Sequence, residues 1–500
     1  MEVGKDSSVP PEDVIGGGIW GETYQDIRDM QRLGKKQEFK RNFGFWGTLG
    51  FVSIYIATWE VALVSSSAGF RNGGFAGLFW TFVGTAICFS SIVASLAEME
   101  SIAPTSGGQY HWVSEFAPPK YQKFLSYSAG WMSTLGWLSA NASGAFLCAT
   151  IIETCAKIVR PETSFTNWQF TVIMLGTILV FVGTNTIGAK VLPLLQTLSL
   201  VGHVLGFIIV VIVCWVMCRP LNTASEVFTQ FIDSSGWGNI AEEVEDASSI
   251  VPRTMWWSYI YNVILGLIVL VTMFFCIGSL EGALEADAPY LPLFVNTGSE
   301  SVALFLSILL FILIFAGNIT SFATVSRELW AFSRDRGFPF SRWISRMDHK
   351  YDIPFNSAYL TAVGAAILCL INLGSSFAFN IIVSLSLLAL LSTYTISIGC
   401  VLLLRIKGEA LPPARWGLGR FGLPINAFAF LYSVFVIVFS CFPTSPPADL
   451  SDANWAPVIW VGVIAFSMAT YVVHGKKHFT PPVIFVEGRR VGGVGLQATE

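Results

Sequence analysis

The sequence predicts an all-α polytopic membrane protein. Three observations carry that expectation. The 500 residues are 53% hydrophobic and only 12% charged, with a mean hydropathy of +0.61, whereas a soluble protein of this length carries roughly twice that charged fraction. Several long stretches hold no charged residue at all, and about 20 apolar residues cross a bilayer core. The basic residues gather between those stretches, as the loops of a polytopic protein require.

Eleven spans follow along the chain. The first covers 45–69. The next are 75–96, 124–152, 170–189 and 191–218. After a polar interval come 255–280 and 301–326. Residues 353–404 are charge-free and too long for one crossing, and the polar break from Asn372 to Ser376 divides them in two. The last two spans are 421–442 and 454–473. No cleavable signal peptide precedes the first span, which is expected to act as an uncleaved signal-anchor behind a charged tail, 1–44. Nine cysteines are scattered, mostly within spans. None forms a CxxC pair or a metal-type cluster, so they read as small packing residues. His203, mid-span, reads as a helix-packing polar residue, with a proton relay as the alternative.

The basic residues imply one crossing more than the apolar stretches supply. With the N-terminal tail placed in the cytoplasm, a literal reading puts 10 of the 29 basic residues inside and 19 outside. One added crossing between Arg219 and Arg253 changes this to 25 inside and 4 outside, which is what the positive-inside rule demands. Yet 220–252 has no apolar run long enough. It holds Glu226, Asp233, Glu242, Glu243, Glu245 and Asp246, each costing on the order of 3 kcal/mol at the bilayer centre. A span is expected to be missing there. The basic loop from Arg327 to Lys350 should still face the cytoplasm. That leaves one frustrated element: either 255–280 lies irregularly or re-entrant, or 220–252 stretches across inside the protein.

The residues from Ala94 to Trp112, Ala-Ser-Leu-Ala-Glu-Met-Glu-Ser-Ile-Ala-Pro-Thr-Ser-Gly-Gly-Gln-Tyr-His-Trp, resemble the end of the second span and the following loop of fungal amino acid/choline (GABA-type) permeases. These belong to the amino acid–polyamine–organocation transporter superfamily. Further segments agree in order: Ala57-Thr-Trp-Glu60, Asn72-Gly-Gly74, Gly130-Trp131 with Gly136-Trp137, Ser326 to Pro339, and Ala241 to Arg253. The likeness covers about 40–475. It implies a LeuT-type fold, a 5+5 inverted repeat plus two C-terminal helices, with 12 spans expected against 11 as written. Solute would sit near the midplane between the broken first and sixth helices. The organisation expected is a cytoplasmic tail 1–44, a first five-helix repeat 45–218, and a polar segment 219–253 where the sixth helix is missing. The remainder of the second repeat is 254–404, a loop and the last two helices are 405–474, and a cytoplasmic tail is 475–500. In the family a whole helix lies between the elements that meet here at Asn239 and Ile240.

Glu60 is the acidic residue well inside a span, and an intramembrane carboxylate is expensive and a functional candidate. It is expected to pair with a solute ammonium or hold a coupling proton, with a helix brace as the alternative. Trp59 offers a cation–π face worth about 0.5–2 kcal/mol. Ser53 and Thr58 flank the same stretch. Asn141, Asn318, Thr320 and Ser321 are small polar groups at membrane depth. They either line the path or make interhelical hydrogen bonds. Pro104, Gly107 and Gly108 form a turn, and in the family that loop is associated with gating. It lacks the Gly-Lys-Ser/Thr of a phosphate loop.

The function expected is secondary active transport of a small nitrogenous solute (amino acid, choline or related amine) by alternating access, with a proton as the coupling cation. The partners are the solute, the cation and the lipid bilayer. No cofactor, metal or nucleic acid is expected. The plasma membrane is the expected location, with an internal membrane such as the vacuole as the alternative. The alternatives are a non-transporting remnant or nutrient sensor of the same family, an exporter of a specialised metabolite, and a membrane enzyme. The last lacks any His/Glu/Cys grouping at helical spacing.

Overall fold

The computed structural model describes residues 45–483 except 106, 189–190, 232–251, 287, 349–352, 376, 413–415 and 444–452. The described residues form an all-α multi-pass membrane protein. Its first span is broken: α1 runs Phe45–Ile56 and α2 runs Thr58–Ser65, with Ala57 between them at φ 45 and ψ 39. Ten further helices are long and apolar enough to cross a membrane. They are α3 (Ser67–Ile102), α5 (Gln122–Val159), α6 (Asn167–Thr186), α7 (Leu192–Met217), α9 (Pro252–Cys276), α12 (Glu300–Arg334), α14 (Phe355–Cys369, extended by a 3-10 turn), α15 (Ala378–Ile406), α16 (Gly422–Phe439) and α17 (Ala456–Thr470). Short helices α4 (Gly108–Phe116), α8 (Ala224–Phe228), α10 (Leu280–Glu285), α11 (Tyr290–Val295) and α13 (Ser341–Ile344) lie between them. The break at 372–376 falls as expected, at the 3-10 turn Leu370–Leu373 that separates α14 from α15.

Helix α7 shows why these helices need a bilayer. Leu194, Leu198, Val201, Leu205, Ile208 and Ile212 are exposed, while Ser199, His203, Gly206, Val210 and Cys214 are buried. Both stripes recur every three or four residues, so each occupies one face. The apolar face points away from the protein and the polar one towards it. Only a lipid solvent makes that arrangement favourable.

The helices define two ends. At one end Asn222 donates to the carbonyls of Phe274 (2.8 Å) and Gly278 (2.7 Å), and Trp80 donates to the Phe228 carbonyl (3.0 Å). At the other end Arg405 meets Glu98 (2.5 Å), Lys123 donates to the Lys476 carbonyl (2.9 Å) and Tyr110 donates to Asp335 (3.0 Å). Among the described basic residues, Arg71, Lys157, Arg160 and Arg219 lie towards the first end and all the others towards the second.

Helices α7 and α9 run in the same direction. Trp215 near the end of α7 donates to Thr272 near the end of α9 (3.0 Å). Met255, at the start of α9, packs in the cluster that holds Ile92, Leu96 and Ile102 of α3. The chain stands beside Gly77 at Phe231 and resumes at the opposite end at Pro252. The residues 232–251, where a sixth helix is expected to be missing, lie outside the described residues. Helix α9 is continuous over 25 residues, so the expectation of a re-entrant 255–280 does not hold. The other alternative, 220–252 stretched across inside the protein, falls largely on residues outside those described.

Candidate solute site at the broken first helix

A left-handed residue that is not glycine costs about 1–2 kcal/mol, and such strain concentrates at functional sites. At Ala57 it interrupts the hydrogen-bond ladder, so backbone carbonyls at the end of α1 and N–H groups at the start of α2 lose their intrahelical partners. The break lies at mid-depth. Gly317, halfway along α12, approaches it so closely that an added Cβ would sit 3.0 Å from the Ile54 carbonyl oxygen.

A cavity of about 250 Å³ opens at this break. Tyr55, Ile56, Ala57 and Thr58 line it from the first span, and Asn72 and Thr81 from α3. Ser143 and Gly144 come from α5, Asn318 and Ser321 from α12, and Asn380 and Ser384 from α15. Among the described residues no Asp, Glu, Lys, Arg or His lines it. Its polarity comes from amides, hydroxyls and the two helix ends. Tyr55 and Trp137 supply an aromatic corner, their ring centroids 5.8 Å apart. Asn318 is held by its own helix, Nδ2 donating to the Ile314 carbonyl (2.8 Å). The absent side chain of Gly144 makes room for it, since a Cβ there would overlap the Asn318 carboxamide.

Three of the expected site residues, Thr58, Asn318 and Ser321, line the cavity. The other five do not. Ser53 is buried below the break, where its carbonyl accepts from Ala57 N (3.0 Å). Asn141 accepts from Ser321 through Oδ1 (3.2 Å) and stands behind it. Thr320 bonds back to the Ala316 carbonyl (3.3 Å). Trp59 and Glu60 are fully buried on the opposite face of α2. Positions 58, 61, 62 and 65 face the cavity, whereas 59, 60, 63 and 64 face the protein interior, the two stripes of one helix. Glu60 Oε1 lies 2.6 Å from His203 Nδ1 on α7, and Trp59 Nε1 lies 3.2 Å from the same nitrogen.

The loop after α3 leads into α4. Gly108 has φ +47, and a Cβ at Gly107 would meet the Tyr110 hydroxyl at 3.0 Å. Pro104 precedes them, and Trp112 closes the turn by donating to the Ala103 carbonyl (3.1 Å). Burial and the neighbouring Asp335 hold the Tyr110 phenol well above its ordinary pKa, so it stays a donor to Asp335 at the end of α12.

Sequence reasoning missed Asn72, Asn380, Ser384, Tyr55 and Trp137. Asn380 and Ser384 are four apart on α15, a one-face signal that the charge-free length of 353–404 obscured. Tyr55 and Trp137 carry no signal until α1 and α5 are placed side by side.

The family profile described as amino acid permease matches residues 43–466. The chain belongs to the amino acid permease family. It is 27% identical to an uncharacterised amino-acid permease of Schizosaccharomyces pombe, over 92% of this chain and 90% of that one. It is also 27% identical to a choline transporter of Saccharomyces cerevisiae (92% and 86%) and 25% identical to a GABA-specific permease of the same yeast (92% and 86%). The permease is thus a multi-pass transporter of a family with fungal members. The match to the first relative runs over 488 positions yet takes in only 92% of the 500 residues. Gaps in this chain therefore total about 30 positions.

Proposed function

We propose that this permease carries an amino acid, choline or a related amine by alternating access, driven by a proton gradient across the plasma membrane. The single observation that carries the reading is a neutral, polar cavity at a mid-membrane helix break. A solute with an ammonium and a carboxylate needs opposite partial charges close together. The end of α1 offers about −0.5 of a charge and the start of α2 about +0.5, the arrangement that binds small charged solutes in broken-helix transporters. Tyr55 and Trp137 add faces for a cationic head. The volume lies below the roughly 300 Å³ at which drug-sized sites begin, which favours a solute of amino-acid size. Thr58, Asn318 and Ser321 are its side-chain contacts, and Pro104, Gly107 and Gly108 shape the cytoplasmic gate. The N-terminus and the basic end face the cytoplasm.

The segment 219–253 stands where a sixth helix would supply the facing half of the site. The roughly 30 absent positions, about one span's worth, also favour a second reading, a member of the family that no longer transports. Both are tested by expressing the 500-residue chain and a form with a helix restored between Asn239 and Ile240. The host lacks its own choline and amino acid permeases, and both forms are checked for arrival at the membrane. Uptake of choline, γ-aminobutyrate and the common amino acids is then measured. Saturable uptake by the restored form is expected. No uptake of any of these by either form would refute the transport reading.

A further inference from the structure

We propose that Glu60 and His203 form a proton-carrying pair that couples the membrane proton gradient to the half-helix α2. The inference deepens the proton-driven permease reading and rests on it.

The pair is fully buried, with Glu60 at 2% and His203 at 1% exposure. Glu60 Oε1 and His203 Nδ1 are 2.6 Å apart, so one proton is shared between them. Glu60 Oε2 and His203 Nε2 are buried and have no hydrogen-bond partner. Buried polar atoms in native structures are nearly always satisfied, and exceptions ask for an explanation. Two open positions on a dyad that already shares one proton suit the binding of a second. With one proton the pair carries a charge of −1, and with two it is neutral. The second proton binds at Nε2 or Oε2, and no other co-reactant is needed.

The surroundings make that change consequential. Phe207 of α7 and Leu313 of α12 belong to the packing around this site, and the Trp59 ring lies 6.1 Å from Phe207. Tyr261 on α9, its ring centroid 6.3 Å from that of His203, is the titratable side chain that faces the pair from the other elements. Among the described residues, α1 and the central stretch of α12 carry no charged side chain. A lone negative charge in such a place is costly. Unloading then requires the pair to be opened to water on one side.

A physical link joins the pair to the solute. His203 Nδ1 also lies 3.2 Å from Trp59 Nε1, an N–H donor. A ring nitrogen that donates to Glu60 cannot at the same moment accept from Trp59. Trp59 and Glu60 therefore compete for that one nitrogen. Trp59 and Glu60 occupy one face of α2, and Thr58, Val61, Ala62 and Ser65 present the other face to the cavity. One short rigid helix carries both ligands' contacts.

The test uses the purified 500-residue chain in lipid nanodiscs. Infrared pH-difference spectra follow the carboxylic C=O stretch and the imidazole ring modes in the parent, Glu60→Gln and His203→Gln. Glu60→Gln is expected to abolish the carboxylic signal and move the imidazole midpoint by about one pH unit or more, and His203→Gln to move the carboxylic midpoint as far, as interacting sites do. Unchanged midpoints in both variants, or no carboxylic signal lost in Glu60→Gln, would overturn the proposal. In proteoliposomes, with the helix-restored form, both variants should keep exchange of labelled solute and lose accumulation driven by a pH gradient. Accumulation equal to the parent in both variants would also overturn it, as would loss of exchange by both at parental protein levels, which would place the pair in solute binding. A parent that exchanges no solute would refute the permease reading instead, while the infrared titration still decides the pair.

Discussion

Substituting Gly144 by alanine separates solute contact from stability. The new Cβ would overlap the Asn318 carboxamide. The asparagine must rotate away, losing its 2.8 Å bond to the Ile314 carbonyl, a cost of about 1 kcal/mol. An unfavourable rotamer adds about 0.5–1.5 kcal/mol. Against this, alanine in a helix interior is better than glycine by about 1 kcal/mol. Net stability should therefore fall by about 0.5–1.5 kcal/mol, on the same helix-propensity, rotamer and hydrogen-bond scales. The cavity, by contrast, loses one polar contact, worth about 1–1.5 kcal/mol or roughly tenfold in half-saturation. The assay is initial-rate uptake by the helix-restored form, together with thermal unfolding in detergent. The double variant Gly144→Ala/Asn318→Ala should be no worse than Asn318→Ala alone, because the alanine at 144 acts only through Asn318. An unchanged half-saturation in Gly144→Ala, or full additivity in the double variant, would refute the placement of Asn318 in the site.

Other expectations follow from the same geometry. Gly108→Ala forces a left-handed alanine and should cost about 1–2 kcal/mol, read as a lower unfolding temperature and slower uptake; a parental melting curve would contradict it. Cysteines at Glu162 and Ser225 should react with an impermeant reagent on intact cells, and cysteines at Arg342 and Glu409 only after permeabilisation. The reverse pattern would invert the proposed orientation. On the second reading the helix-restored form transports and the 500-residue form does not, because the solute then lacks the facing half of its site; equal uptake by both would refute that reading and show that another element fills the gap. Tyr110→Phe removes the 3.0 Å bond to Asp335 and should destabilise by about 1 kcal/mol, measured by denaturant melts.

The spans were legible because crossing a membrane depends on summed apolar length, a property of local sequence. All eleven expected stretches recur as α1–α2 and the ten long helices. The polar break at 372–376 was legible for the same reason. The charge pattern asks for one further crossing between Arg219 and Arg253, a segment that lies largely outside the described residues. Thr58, Asn318 and Ser321 could be singled out as polar groups at membrane depth. The facing of Glu60 could not. Its isolation in an apolar span marked it as costly, but the side on which it stands depends on the rotation of α2, and α2 carries polar residues on one face and Glu60 on the other.

What the sequence by itself determined, then, is the class of protein and the number and approximate limits of its apolar helices. These depend on transfer energies that add residue by residue along the chain. Only the tertiary structure decided which polar groups meet. Ala57 turns left-handed where α12 and α5 close around it, Gly144 yields its volume to Asn318, and Glu60 finds His203, 143 positions away. Each of these contacts joins helices far apart in sequence, and their energies exist only once the helices are packed.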